Sequence, residues 1–142
     1  MINYVAHWEW ILTKSRGSIV ESIEDYEFRS ICPIDNETVL SKYYKDSINW
    51  GINRKNSFGL KGIFKLIKIL RTLEDKSIVH VFTIKSGFIY IISKVFVKKD
   101  FKAILSVTGL GFLFSNNTLA KMLKTLLRPI FHQNYTKNTK NR

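Results

Sequence analysis

The sequence predicts an α/β fold, a doubly wound parallel sheet with helices on both faces. Three observations predict it. Short apolar, β-branched runs alternate strictly with segments patterned for helices along most of the chain. Ser77 to Ile84 is apolar and β-branched, as in a strand buried on both faces. A chain of 142 residues that is 45% hydrophobic is long enough and apolar enough for one real core.

The elements follow in order. Ile2 to Ala6 is a short strand, and His7 to Trp10 then brings an imidazole and two indoles close together. Arg16 to Ile23 carries a helical pattern. Phe28 to Ile34 is the second strand, leaving through Pro33-Ile34-Asp35-Asn36. Glu37 to Tyr44 is a short helix capped by Asp35 or Asn36. Ser47 to Ile52 is a weaker third strand, and Arg54 to Gly59 is a polar turn.

Leu60 to Leu73 is the clearest helix. Leu60, Ile63, Phe64, Ile67, Leu70 and Leu73 recur at helical spacing, with Lys61, Lys65, Lys68 and Arg71 on other faces. After the strand Ser77 to Ile84, Lys85-Ser86-Gly87 is the turn and Phe88 to Val97 a buried helix. Phe101 to Val107 is the fifth strand and Thr108-Gly109-Leu110-Gly111 a loop. Thr118 caps a final helix from Leu119, which Pro129 disturbs. The domain therefore covers residues 1–131. Residues 132–142 form a basic, polar tail whose composition predicts disorder.

Charge narrows the partners. Lys and Arg number 23 against 11 acids, a net charge of +12. That excess favours an anionic partner: nucleic acid, an anionic membrane surface or a phosphorylated substrate. The basic residues are spread over many elements and form no nucleic-acid motif, so no nucleic acid is expected. The single cysteine, Cys32, excludes an intrachain disulfide and a cysteine metal cluster, and its apolar neighbours predict a buried thiol. Neither a metal nor a cofactor is implied. The start, Met1 to Trp10, has no basic leader, and no apolar run approaches the roughly 20 residues of a membrane span. A cytoplasmic protein is expected, resting on the inner face of the membrane through its basic helices.

In doubly wound sheets ligands bind outside the carboxyl ends of the strands, where the strand order reverses. That rule selects the candidates. His7 closes the first strand and is the candidate catalytic residue, with no partner acid assigned. Trp8 and Trp10 either stack on a sugar or divide between core and surface. Arg16 either pairs with a phosphate through its planar fork or forms a surface ion pair with Glu21 or Glu24. Lys85, Ser86 and Gly87, at the head of a helix, form an anion site or a solvated turn. In Thr108, Gly109, Leu110 and Gly111, backbone amides face a phosphate, or the glycines merely relieve a tight turn. His80 lies inside a strand and is expected as a satisfied core histidine.

Val79-His80-Val81-Phe82-Thr83-Ile84-Lys85 and Val107-Thr108-Gly109-Leu110-Gly111-Phe112-Leu113-Phe114 together resemble paired landmarks of the amino-terminal domain of glycosyltransferase family 4. Trp8 to Arg16, Cys32-Pro33-Ile34-Asp35 and Ile52-Asn53-Arg54-Lys55 resemble its first loop, second strand end and third loop, in the right order. The similarity is greatest to the branch that builds capsule, O-antigen and other lipid-linked glycans. It implies one Rossmann-like half of a two-domain GT-B enzyme, the half that binds a lipid-linked saccharide acceptor. A nucleotide-sugar donor would be held by a carboxy-terminal domain, which a separate polypeptide would supply. No acidic pair of that second domain appears in this sequence, so the chain is expected to be inactive alone. The alternatives are a non-catalytic binding module or truncated remnant and, on charge alone, a basic nucleic-acid-binding protein.

Overall fold

The computed structural model describes residues 1–51 and 60–107. Within them five strands, β1 (Ile2–Val5), β2 (Phe28–Cys32), β3 (Asp46–Asn49), β4 (Ile78–Phe82) and β5 (Lys102–Ser106), form one sheet. Its order is β3-β2-β1-β4-β5, and every neighbouring pair is parallel. The helices are α1 (Glu9–Lys14), α2 (Gly17–Ser22), α3 (Glu37–Ser41), α4 (Leu60–Thr72) and α5 (Ile84–Val95). The expected α/β class, the parallel sheet and the Rossmann-like arrangement are therefore present.

Alternation of side chains along the strands divides the core in two. Val5, Ile31, Val79 and Val81 pack under α4 and α5, against Leu66, Ile67, Leu70, Ile89 and Tyr90. Tyr4, Ala6, Phe28, Cys32 and Phe82 point to the other face, against Leu12 of α1, Val20 of α2 and Leu40 of α3. Burial on both faces explains why β4 reads as a nearly continuous apolar run, whereas the edge strand β5 is largely exposed. Cys32 lies fully inside, and burial pushes its thiol up to about 12.

Trp50 follows β3 and is fully buried. Its indole Nε1 donates to the Gly62 carbonyl at 3.1 Å, tying the exit of β3 to α4. Gly51, at φ +61°, makes the left-handed step after it. Arg29 Nε donates to Asp46 Oδ2 at 2.7 Å across the β2–β3 register.

Several boundaries differ from the sequence reading. The helical pattern from Arg16 to Ile23 corresponds to α2, and a further short helix, α1, precedes it from Glu9. Its six residues are too few for a visible apolar period. Asn36, not Asp35, caps α3, accepting from the Thr38 amide at 3.2 Å. β3 is shorter than Ser47 to Ile52. Lys85-Ser86-Gly87 is not a turn. The helix starts at Ile84, because the Thr83 side chain caps it by accepting from the Ser86 amide. Arg54 to Gly59, the loop Thr108-Gly109-Leu110-Gly111, the helix from Leu119 and the tail lie outside the described residues.

Candidate functional site

Strand order reverses between β1 and β4. Chain direction runs outward from β1 through β2 to β3, then returns to β4 and β5. The carboxyl ends of β1 and β4 therefore flank the switch point, and the residues just beyond them are His7 and Thr83.

These two residues touch. His7 Nδ1 lies 2.9 Å from Thr83 Oγ1 and 3.2 Å from Ser86 Oγ. Ser86 is fully buried in the first turn of α5. Thr83 has φ +75° and ψ 152°, a region that β-branched residues almost never occupy. Neighbouring chain locks it there. Its amide donates to Ser106 O at 2.9 Å, and its carbonyl accepts from Gly87 N at 3.0 Å. Thr83 was not among the sequence candidates, because a backbone angle leaves no mark in composition or spacing.

Gly87 has a packing role. A Cβ there would come within 2.6 Å of Leu105 Cδ1, so the missing side chain lets α5 lie close on β5. Lys85 is half-buried in the same first helical turn.

Beyond β1, Trp8 and Trp10 stack on each other, ring centroids 5.2 Å apart and planes 21° from parallel. Trp10 is 50% exposed and Trp8 half-buried. Between them Glu9 turns inward. Its carboxylate is buried, and Oε2 accepts from the amides of Asp35 at 2.5 Å and Asn36 at 2.8 Å. The loops after β1 and β2 are thus fastened together, a clamp that sequence reasoning missed.

Arg16 does not pair with Glu21 or Glu24. Its guanidinium lies over the Phe82 ring, 5.0 Å from the centroid, and its buried Nε has no hydrogen-bond partner. Phe82 immediately precedes Thr83, so this charge sits beside the switch point on the α1–α3 face. His80 stands apart from the site within the sheet, as expected of a core histidine. Its Nε2 lies 2.7 Å from Ser106 Oγ, and its ring stacks on Phe82. Burial, and then the Arg16 charge, hold the imidazole below its ordinary value. The structure thus brings together His7, Ser86 and Thr83, with Trp8 and Trp10 following His7, and leaves His80 outside.

A parallel sheet of this order, flanked by helices, defines a Rossmann-like domain with a polar cluster at its switch point. The model of the family described as "Glycosyl transferase 4-like" matches residues 2–140, and the chain belongs to that family. No curated protein and no solved structure matches it.

Proposed function

We propose that the chain is the acceptor-side domain of a glycosyltransferase. It holds a lipid-linked saccharide at the carboxyl ends of β1 and β4, for transfer of a sugar from a nucleotide-sugar. The observation that carries this reading is the His7–Thr83–Ser86 cluster at the switch point of a chain in the glycosyl transferase 4-like family. The neighbouring groups suit the same ligand. Trp10 offers an exposed ring face on which a sugar can stack. Arg16, with an unpartnered Nε, and Lys85, at the head of α5, suit the diphosphate of a lipid carrier.

A second doubly wound domain would hold the donor and neutralise the departing nucleoside diphosphate. The product would be a lipid-linked glycan for cell-surface polysaccharide, made at the cytoplasmic face of the membrane. Among the described residues no helix is long and apolar enough to cross a membrane. Attachment would be peripheral. Leu60 and Phe64, 73% and 63% exposed, rise from α4 among the exposed Lys61, Lys65 and Lys68. An interfacial helix on anionic lipid needs that combination.

Titration of the chain's tryptophan fluorescence with a lipid-diphosphate saccharide in detergent tests the reading. Saturable binding is expected, weakened at least tenfold in Trp10→Ala and Arg16→Ala. No sugar transfer is expected from the chain alone, and transfer is expected on adding a family donor domain. Absence of binding overturns the acceptor role. Binding with no transfer under any donor domain leaves a non-catalytic binding module.

A further inference from the structure

One ring on the α1–α3 face of the sheet touches two groups that can carry positive charge. The Arg16 guanidinium lies over Phe82, 5.0 Å from its centroid, and the His80 imidazole stacks on the same ring at 4.2 Å. Guanidinium and imidazole therefore stand within one screening length of each other, about 10 Å in dilute salt. The ring they share is fully buried, and charges in such surroundings are screened less than exposed ones. A proton on His80 is thus repelled by Arg16.

Nothing else recorded against His80 offsets that repulsion. Among the described residues its ring meets Tyr4 of β1 edge-on at 5.2 Å, and its Nε2 lies 2.7 Å from Ser106 Oγ of β5. Burial pushes up the phenols of Tyr4 and of Tyr44 beside it, so neither brings a negative charge. The helices on this face present Leu12, Val20 and Leu40. Burial first, and the Arg16 charge second, hold the imidazole low, with no carboxylate acting on it. Arg16 has no acid of its own either. Its buried Nε has no hydrogen-bond partner, while the residue as a whole is only partly buried, open to an anion.

We infer that an anion on Arg16 and a proton on His80 bind cooperatively, so that the proposed site holds a phosphate group more tightly in acid. The anion cancels the guanidinium charge and removes the repulsion that a protonated His80 meets. By reciprocity, the protonated imidazole strengthens anion binding by the same factor. Coulomb's law over about 10 Å, taken between the dielectric of water and that of a protein surface, makes this factor about two- to fifteenfold. His80 touches no ligand here. It acts through Phe82 as a sensor of whether Arg16 is occupied. The inference rests on the reading of Arg16 as a phosphate-binding residue of the acceptor site, and gives that site its regulation.

Proton NMR of the full chain tests it. The His80 ring, assigned by His80→Gln, is followed from about pH 5 to 8 in sodium sulfate and in sodium chloride of equal ionic strength. Sulfate keeps its charge throughout that range. The His80 midpoint is expected at higher pH in sulfate than in chloride. Sulfate is expected to bind about two- to fifteenfold more tightly at the acid end, and His80→Gln to lose most of that gain. Arg16→Gln is expected to raise the midpoint in chloride and to abolish its response to sulfate. Arg16→Lys keeps the charge and is expected to leave the chloride midpoint in place, whereas a merely structural role for Arg16 would move both variants alike. Circular dichroism reports whether each variant is folded. Should Arg16→Gln fail to fold, the two salts compared on the unaltered chain decide alone. One midpoint in both salts overturns the inference. So does a midpoint that a folded Arg16→Gln leaves unmoved, or an acid gain that His80→Gln keeps in full. A chain that responds to sulfate but binds no lipid-linked saccharide would overturn the acceptor reading and leave this coupling standing.

Discussion

Glu9 and Asp35 are 26 positions apart in the chain, yet the Glu9 carboxylate accepts the Asp35 amide at 2.5 Å and the next amide, Asn36, at 2.8 Å. One buried side chain thereby sets the spacing of the loops that follow β1 and β2. Glu9→Ala leaves both amides without their acceptor. Urea unfolding is expected to show a loss of about 2 kcal/mol. Glu9→Gln keeps one accepting oxygen and is expected to lose about half as much.

Thr83→Gly should behave in the opposite sense. Glycine occupies φ +75° freely, whereas threonine there costs on the order of 1–3 kcal/mol. Loss of the cap offsets only a few tenths. The urea midpoint should rise, by a stabilisation of about 1 kcal/mol, while binding at the switch point weakens. A variant less stable than the unaltered chain would mean that the angle carries no strain.

Trp50→Phe removes an indole whose Nε1 donates to Gly62 O at 3.1 Å inside the core. The carbonyl loses its partner and a void remains. A cost of about 2 kcal/mol is expected in chemical denaturation, with the parallel sheet still formed by circular dichroism.

Acid should weaken the fold through His80. Burial, and then Arg16, keep the folded imidazole below its ordinary value. As pH falls past about 6.5, the unfolded chain takes up a proton that the folded chain resists. Stability is therefore complete above that pH, and drops with acid until the folded group titrates as well. His80→Gln should show a smaller loss of urea midpoint between pH 7 and pH 5 than the unaltered chain.

Periodic elements were legible from the sequence. Ile63, Ile67 and Leu70 marked α4 because a packed helix must repeat its apolar face, whereas Leu60 and Phe64 of the same pattern stand exposed. The run before Thr83 marked β4 because both its faces are covered. The rule that ligands gather at strand ends selected His7 and Ser86, which do meet. The sequence did not reveal what depends on one angle or one distant contact. Thr83 resembles any other residue of its strand until φ is known. Glu9 is a lone acid between two tryptophans until the loop after β2 folds onto it. Lys85-Ser86-Gly87 looked like a turn, since serine and glycine usually punctuate; the capping hydroxyl of Thr83, two residues before Lys85, made them helical.

Placing β1 at the centre of the sheet has a consequence for how the chain acquires and keeps the proposed binding site. The two sides of the His7–Thr83 contact are 76 positions apart, and they meet only when β4 has docked beside β1. No early-folding fragment that stops short of α5 contains the site. A ligand seated there is therefore linked to the whole β1–β4 sheet and not to a local loop. Its binding energy adds to global stability, and amide exchange in β1 and β4 should slow together when it binds.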